Sequence, residues 1–217
     1  MAIGANHLGK SDLLATTPPN KILEALLDID DHCLDLENRM EAVYAELQSK
    51  QTGPLFWTIP PALDSLDEEP PCRLEESYNM PIEFADADTA RLLTLYWAQQ
   101  CLLRMGRAEL RDALAGMAAA GMVQGQAERV NRSLAQPVKP LVESAHLVLR
   151  SRDYCCSSQS TLLRYSVPLN ITLDVLANKP ELYQAEIRIA KEIKKHISHR
   201  YLRITQFTKT LQHVKEV

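Results

Sequence analysis

Apolar and polar positions follow helical periods along most of the chain. Between Asn20 and Lys50, Ile22, Leu26, Ile29, Cys33, Leu36, Met40, Val43 and Leu47 recur at alternating steps of four and three. That spacing is an a/d seam sustained over about four heptads. Leu23, Leu27, Leu34 and Tyr44 widen the stripe beyond a bare coiled-coil seam. Pro18 and Pro19 lead into Asn20, a favourable N-cap. The pattern predicts a long N-terminal helix packed by one face in a bundle, with a two-chain coiled coil as the alternative use of the seam.

The stretch 90–105, "ARLLTLYWAQQCLLRM", is eleven-sixteenths apolar, with Tyr96 and Trp97 side by side. Apolar side chains wrap most of its circumference, which predicts a largely buried central helix capped by Asp86 or Asp88. Gln99, Gln100 and Arg104 interrupt it well short of the roughly 20 apolar residues that a bilayer requires, so it is not a membrane span. Residues 107–135 contain three glycines and many alanines, predicting a helix to about Ala120, a Gly-rich break and a short helix. Leu141, Ala145, Val148 and Leu149 mark the inner face of the next helix, and a helix containing Pro168 follows it. Pro180 is placed to open another, with Leu182, Glu186, Ile189, Ile193 and Ile197 on one face, and a final amphipathic stretch closes the chain. No segment alternates with period two for long. The fold class expected is all-α, an irregular helical bundle.

Six prolines fall within 51–85, denying helix and strand interiors alike. This reads as a long connector whose Phe56, Trp57 and Ile59 dock on the helices, with "LDSLDEEPP" exposed. Residues 1–17 read as a flexible N-terminus, and 1–217 as a single helical domain. At 217 residues, 46% hydrophobic and 24% charged, the chain is long enough to bury a substantial core.

Charge is unevenly spread. Residues 1–80 hold 15 acidic against 5 basic side chains, and 186–217 hold 8 basic against 3 acidic. The basic end lacks the dense Arg/Lys runs and interleaved aromatics of a nucleic-acid surface; solvated helix faces are the simpler reading of both ends, with attraction between them, within one fold or between two copies, as the alternative. The five cysteines are scattered without a CxxC pair, and Cys155 and Cys156 are adjacent, which disfavours a bridge between them. A reducing compartment follows. The N-terminus shows no secretory pattern.

Candidate chemistry is sparse. Glu143 and His146 stand at i and i+3, as in di-iron bundles, but no second Glu-x-x-His occurs. Asp28/His32 and Glu192/His196 have the i, i+4 spacing of surface ion pairs, and His199 joins His196 in a basic, solvated turn. A Cys155 or Cys156 nucleophile would need His146 as its base. No P-loop, G-x-G-x-x-G or G-x-S-x-G occurs. No catalytic residue, metal ligand or cofactor is assigned.

Three stretches, "PLFWTIPPAL" at 54–63, "ARLLTLYWAQQCLL" at 90–103 and "VESAHLVLRSRDYC…LRYSVPLNITLDVL" at 142–176, occur in this order. Their sequence over roughly residues 20–200 resembles the C-terminal helical regulatory region of fungal zinc-cluster transcription factors, of the kind found in secondary-metabolite gene clusters. The family's zinc cluster uses six closely spaced cysteines, which this chain lacks. The resemblance implies a nuclear or cytoplasmic accessory regulator that works through a protein partner or as a homodimer, without sequence-specific DNA binding of its own. It also places Phe56, Trp57, Tyr96, Trp97 and His146 as candidates to line a pocket for an apolar small molecule, although core filling is the preferred explanation of the aromatics. The alternative function is a small cofactor-independent enzyme acting on an apolar biosynthetic intermediate, with His146, Tyr96, Cys155 and Glu143 as its candidate polar groups.

Overall fold

The computed structural model describes residues 18–59, 80–123 and 125–215. The elements run α1 (Pro19–Lys50), β1 (Phe56–Thr58), β2 (Ile82–Phe84), α2 (Ala87–Ala119), α3 (Ala127–Ala135), α4 (Leu141–Arg150), α5 (Arg152–Ser157), α6 (Gln159–Leu176) and α7 (Gln184–Lys215). The class is all-α, with one small two-stranded sheet. Residues 1–17, the acidic part of the Pro-rich connector and Cys72 lie outside the described residues.

The chain divides into two compact units that interleave in sequence. The first takes residues up to Asn38 and Gly106–Val138; the second takes Arg39–Met105 and everything from Lys139. No linear boundary of the kind that a linker marks separates them, since α1 and α2 each contribute residues to both.

In the first unit, Leu23 and Leu27 of α1 close on Leu114 of α2 and Val130 of α3, with Leu26, Met117 and Leu134 packed around them. The inner face of α1 is offset from the a/d seam. Leu23, Leu27, Asp30 and Glu37 are buried, whereas Ile29 is 48% and Leu36 47% exposed. The seam is therefore open at Ile29 and Leu36, and the packing face in this unit runs through Leu23 and Leu27, which widen the stripe, to Asp30 and Glu37, which are compensated inside the unit. The end of α2 is set by a left-handed residue. Gly121 has φ of 71°, the Met122 N–H donates to the Met117 carbonyl at 3.0 Å, and the Gly121 N–H donates to Ala118. This is the paired hydrogen bonding of a Schellman motif, in which glycine avoids the Cβ penalty.

In the second unit, α4, α5, α6 and α7 pack on one another, and α5 also meets β2. Trp97 is 3% exposed, and Ala90, Leu93, Ala98, Cys101 and Met105 of α2 are buried with it. The aromatic segment is thus part of a core helix, as its composition requires, though Leu92 and Leu102 remain exposed on its outer side. Asp86 caps α2: its Oδ1 accepts from the Thr89 N–H at 2.7 Å, and its Oδ2 from the Thr89 hydroxyl at 2.9 Å. Those bonds hold the Asp86 carboxyl below its usual range.

The connector is not simply packed coil. β1 and β2 pair antiparallel in the register Phe56↔Phe84, Trp57↔Glu83 and Thr58↔Ile82. Strand alternation sends Phe56 toward Phe84 and Trp97, and Trp57 to the opposite face, where it is 45% exposed. Trp57 and Ile59 therefore do not dock on helices as expected. Two further boundaries differ. The helix through Trp97 does not break after Met105 but continues through Gly106 and Gly116, and α7 starts at Gln184, leaving Pro180 in the preceding turn and Leu182 exposed.

Candidate functional site

The five residues assigned to an apolar pocket are distributed over different surroundings. Phe56 meets Trp97 edge-on with ring centroids 5.1 Å apart; Phe84 lies 6.0 Å from Trp97 and 5.1 Å from Tyr154. These tilted and edge-on contacts fill space by the geometry that aromatic quadrupoles favour. Tyr96 stacks on Tyr44 at 5.3 Å and its hydroxyl accepts from Gln100 Nε2. Trp57 faces outward. His146 Nε2 stands 3.2 Å from Glu186 Oε1, and Glu186 is buried. This contact explains why a glutamate sits among the isoleucines on the inner face of α7.

The four polar candidates of the enzymatic alternative are likewise distributed: Glu143 is exposed, His146 is on Glu186, Tyr96 is on Tyr44, and Cys155 is in the core. Burial pushes the Cys155 and Cys101 thiols up to about 12, so each is held as the thiol at neutral pH rather than the thiolate a nucleophile requires. Cys33, Cys101, Cys155 and Cys156 are all free. Among the described residues, no group of three or more His, Cys, Asp or Glu side chains gathers as a metal site, and no helix is long and apolar enough to cross a membrane. The pairing expected of Asp28 and His32 is replaced: His32 Nδ1 bonds the Asp28 carbonyl oxygen, and the Asp28 carboxylate takes Arg129 at 2.8 Å.

Two polar arrangements went unnoticed in the sequence. In the first unit, Arg107 is buried between two carboxylates, its Nε 3.3 Å from Asp30 and its Nη1 2.7 Å from Glu37. Ser133 donates to the other Asp30 oxygen at 2.5 Å. This network fixes α1 against α2 and α3. A signal did exist: Leu23, Leu27, Asp30, Leu34 and Glu37 are spaced as one helical face, and two acids on an apolar face ask for a buried cation.

In the second unit, α4, α5 and α7 border a cleft of about 590 Å³. Leu149, Cys156, Ile189 and Ile193 supply its apolar wall; Arg150, Arg152, Arg200 and His196 bring basic groups, and Asp153 and Glu192 acidic ones. Arg152 is matched by Asp153 at 2.7 Å. Arg150 instead donates to the Met80 carbonyl at 2.7 Å and the Thr58 hydroxyl at 2.9 Å, and Arg200 to the Cys156 carbonyl. Burial lowers the Arg150 pKa. The lining comes from "RSRDYCC" and "KKHISHR", segments too far apart in sequence for their spacing to reveal a site.

No protein-family model, curated protein or solved structure matches the chain.

Proposed function

We propose that this protein is an accessory regulator without DNA-binding or catalytic machinery of its own, acting in the nucleus or cytoplasm through a protein partner to influence expression of a secondary-metabolite gene cluster. The transcriptional part of the reading comes from the order of the three stretches that resemble the helical region of fungal zinc-cluster factors. Partner binding is carried by one observation: Ile29 and Leu36 stand about half-exposed on α1, one heptad apart, with half-buried Leu26 and Cys33 beside them. Covering a Leu or Ile side chain contributes about 1.5–3 kcal/mol. A seam with heptad spacing suits an amphipathic helix that brings its own a/d residues.

The test replaces the native gene with Ile29→Glu/Leu36→Glu and profiles transcripts. Selective loss of one gene cluster's transcripts, with the variant protein at normal abundance, supports the reading. Unchanged transcripts at normal abundance overturn it.

A further inference from the structure

The cleft between α4, α5 and α7 carries a second, independent inference, which does not rest on the regulatory reading. We propose that it binds a small organic acid, a single carboxylate on an apolar body, with Arg150 and Arg200 as the groups that hold the carboxylate.

Three features of the cleft select this chemistry. The first is size: about 590 Å³ lies in the middle of the range that accommodates cofactor-sized and metabolite-sized ligands. The second is the wall, since Leu149, Ile189 and Ile193 face the cleft and can cover an apolar body. The third is how charge is distributed. Arg152 has its counter-ion in Asp153. The hydrogen bonds of Arg150 go to a carbonyl and a hydroxyl, and that of Arg200 to a carbonyl. Neutral acceptors orient a guanidinium without neutralising it, and its planar fork retains donors that match a carboxylate. Arg150 is half-buried, and desolvation is what lowers its pKa, so an arriving anion relieves an existing cost.

The net charge also decides between anions. Three arginines against Asp153 and Glu192 leave an excess of one arginine over the carboxylates of the lining. A monoanion balances that. A phosphate dianion would face two carboxylates with too little cation to offset them, and a neutral apolar ligand would leave the excess positive charge without a counter-ion among the described residues. The bonds to Thr58 and Met80 further tie Arg150 to β1 and to the residues preceding β2, so the guanidinium is positioned before any ligand arrives.

The experiment uses the full chain and calorimetric titration with octanoate, decanoate and naphthylacetate, each paired with the neutral alcohol of the same skeleton. At least one acid is expected to bind at a single site about tenfold tighter than its alcohol, an advantage that shrinks as salt is raised. Arg200→Gln is expected to weaken that acid about tenfold and leave the alcohol unchanged, whereas Arg152→Gln, whose charge Asp153 already matches, changes either little. Arg150→Gln is read the same way if its melting temperature is retained; Arg200→Gln carries the test if it is not. No binding by any acid, equal binding of acid and alcohol, or full affinity in Arg200→Gln overturns the proposal. So does tighter binding of an acidic peptide than of any of the small acids, which would assign the cleft to a protein segment.

Discussion

Trp97 and Trp57 are the same residue type with opposite positions, and the difference is set by backbone geometry rather than hydrophobicity. Trp97 is 3% exposed within the aromatic contacts of Phe56 and Phe84, and Trp57 is 45% exposed on the outer face of a three-residue strand. Trp97→Ala is therefore expected to cost about 3–5 kcal/mol in urea unfolding, and Trp57→Ala under about 1 kcal/mol. Equal losses would place Trp57 in a core it does not occupy here. The buried thiols give a pH dependence of definite sign. Cys101 and Cys155 have an ordinary value near 9 and are raised to about 12 by burial. Below pH 9 they are protonated in both folded and unfolded chains and add no slope. Above pH 9 the unfolded chain releases these protons while the folded one retains them, so stability falls as pH rises toward 12. The expected loss is about 1.4 kcal/mol per thiol for each pH unit in that window. Cys101→Ala/Cys155→Ala should flatten the alkaline slope of the urea midpoint, and an unchanged slope would show that these thiols do not cause it.

At the scale of elements, apolar periodicity made the helices legible and left their partners obscure. The long helix at the N-terminus, the buried helix around Trp97, the glycine break and the short helix after it all follow from local pattern. The continuation of α2 through Gly106 and Gly116 does not. Each glycine costs a helix about 1 kcal/mol, but burying Leu114 beyond Gly106 returns about 1.5–3 kcal/mol, Met117 beyond Gly116 packs on the same cluster, and both gains depend on Leu23 and Val130, remote in sequence. β1 and β2 are too short for alternation to register, and their pairing spans the connector. The Arg107 network was hidden for the same reason: an arginine on α2 cannot show from sequence that its counter-charges lie on α1. Removing the cation alone, Arg107→Met, leaves Asp30 and Glu37 buried together without it and is expected to cost about 3–5 kcal/mol. Replacing the group as a whole, Asp30→Leu/Glu37→Leu/Arg107→Met with Ser133→Ala, should recover most of that loss, because no buried charge then remains. A quadruple variant as unstable as the single one would mean that the network contributes more than charge balance.

For the molecule as a whole, the heptad seam of α1 is the feature whose reading changes most between sequence and structure. In sequence, Ile22, Leu26, Ile29, Cys33 and Leu36 are its most regular apolar series, and regularity suggests burial. In the first unit the buried series is instead Leu23, Leu27, Asp30 and Glu37, rotated by one position, or about 100°, around the same helix. One helix thus carries two equally spaced faces: a mixed apolar and acidic one, tolerant of acids because Arg107 answers them, and an apolar one left partly open. This predicts a separation of effects measurable on purified protein. Ile29→Glu and Leu36→Glu, each on the open face, should shift unfolding free energy by no more than about 0.5 kcal/mol at low protein concentration. Leu27→Glu, on the closed face, places a carboxylate in an apolar core and should cost several-fold more, in the range of about 3–5 kcal/mol. Comparable losses at Ile29 and Leu27 would mean that the seam is covered in the free protein, and the partner surface proposed on it would have no room to exist.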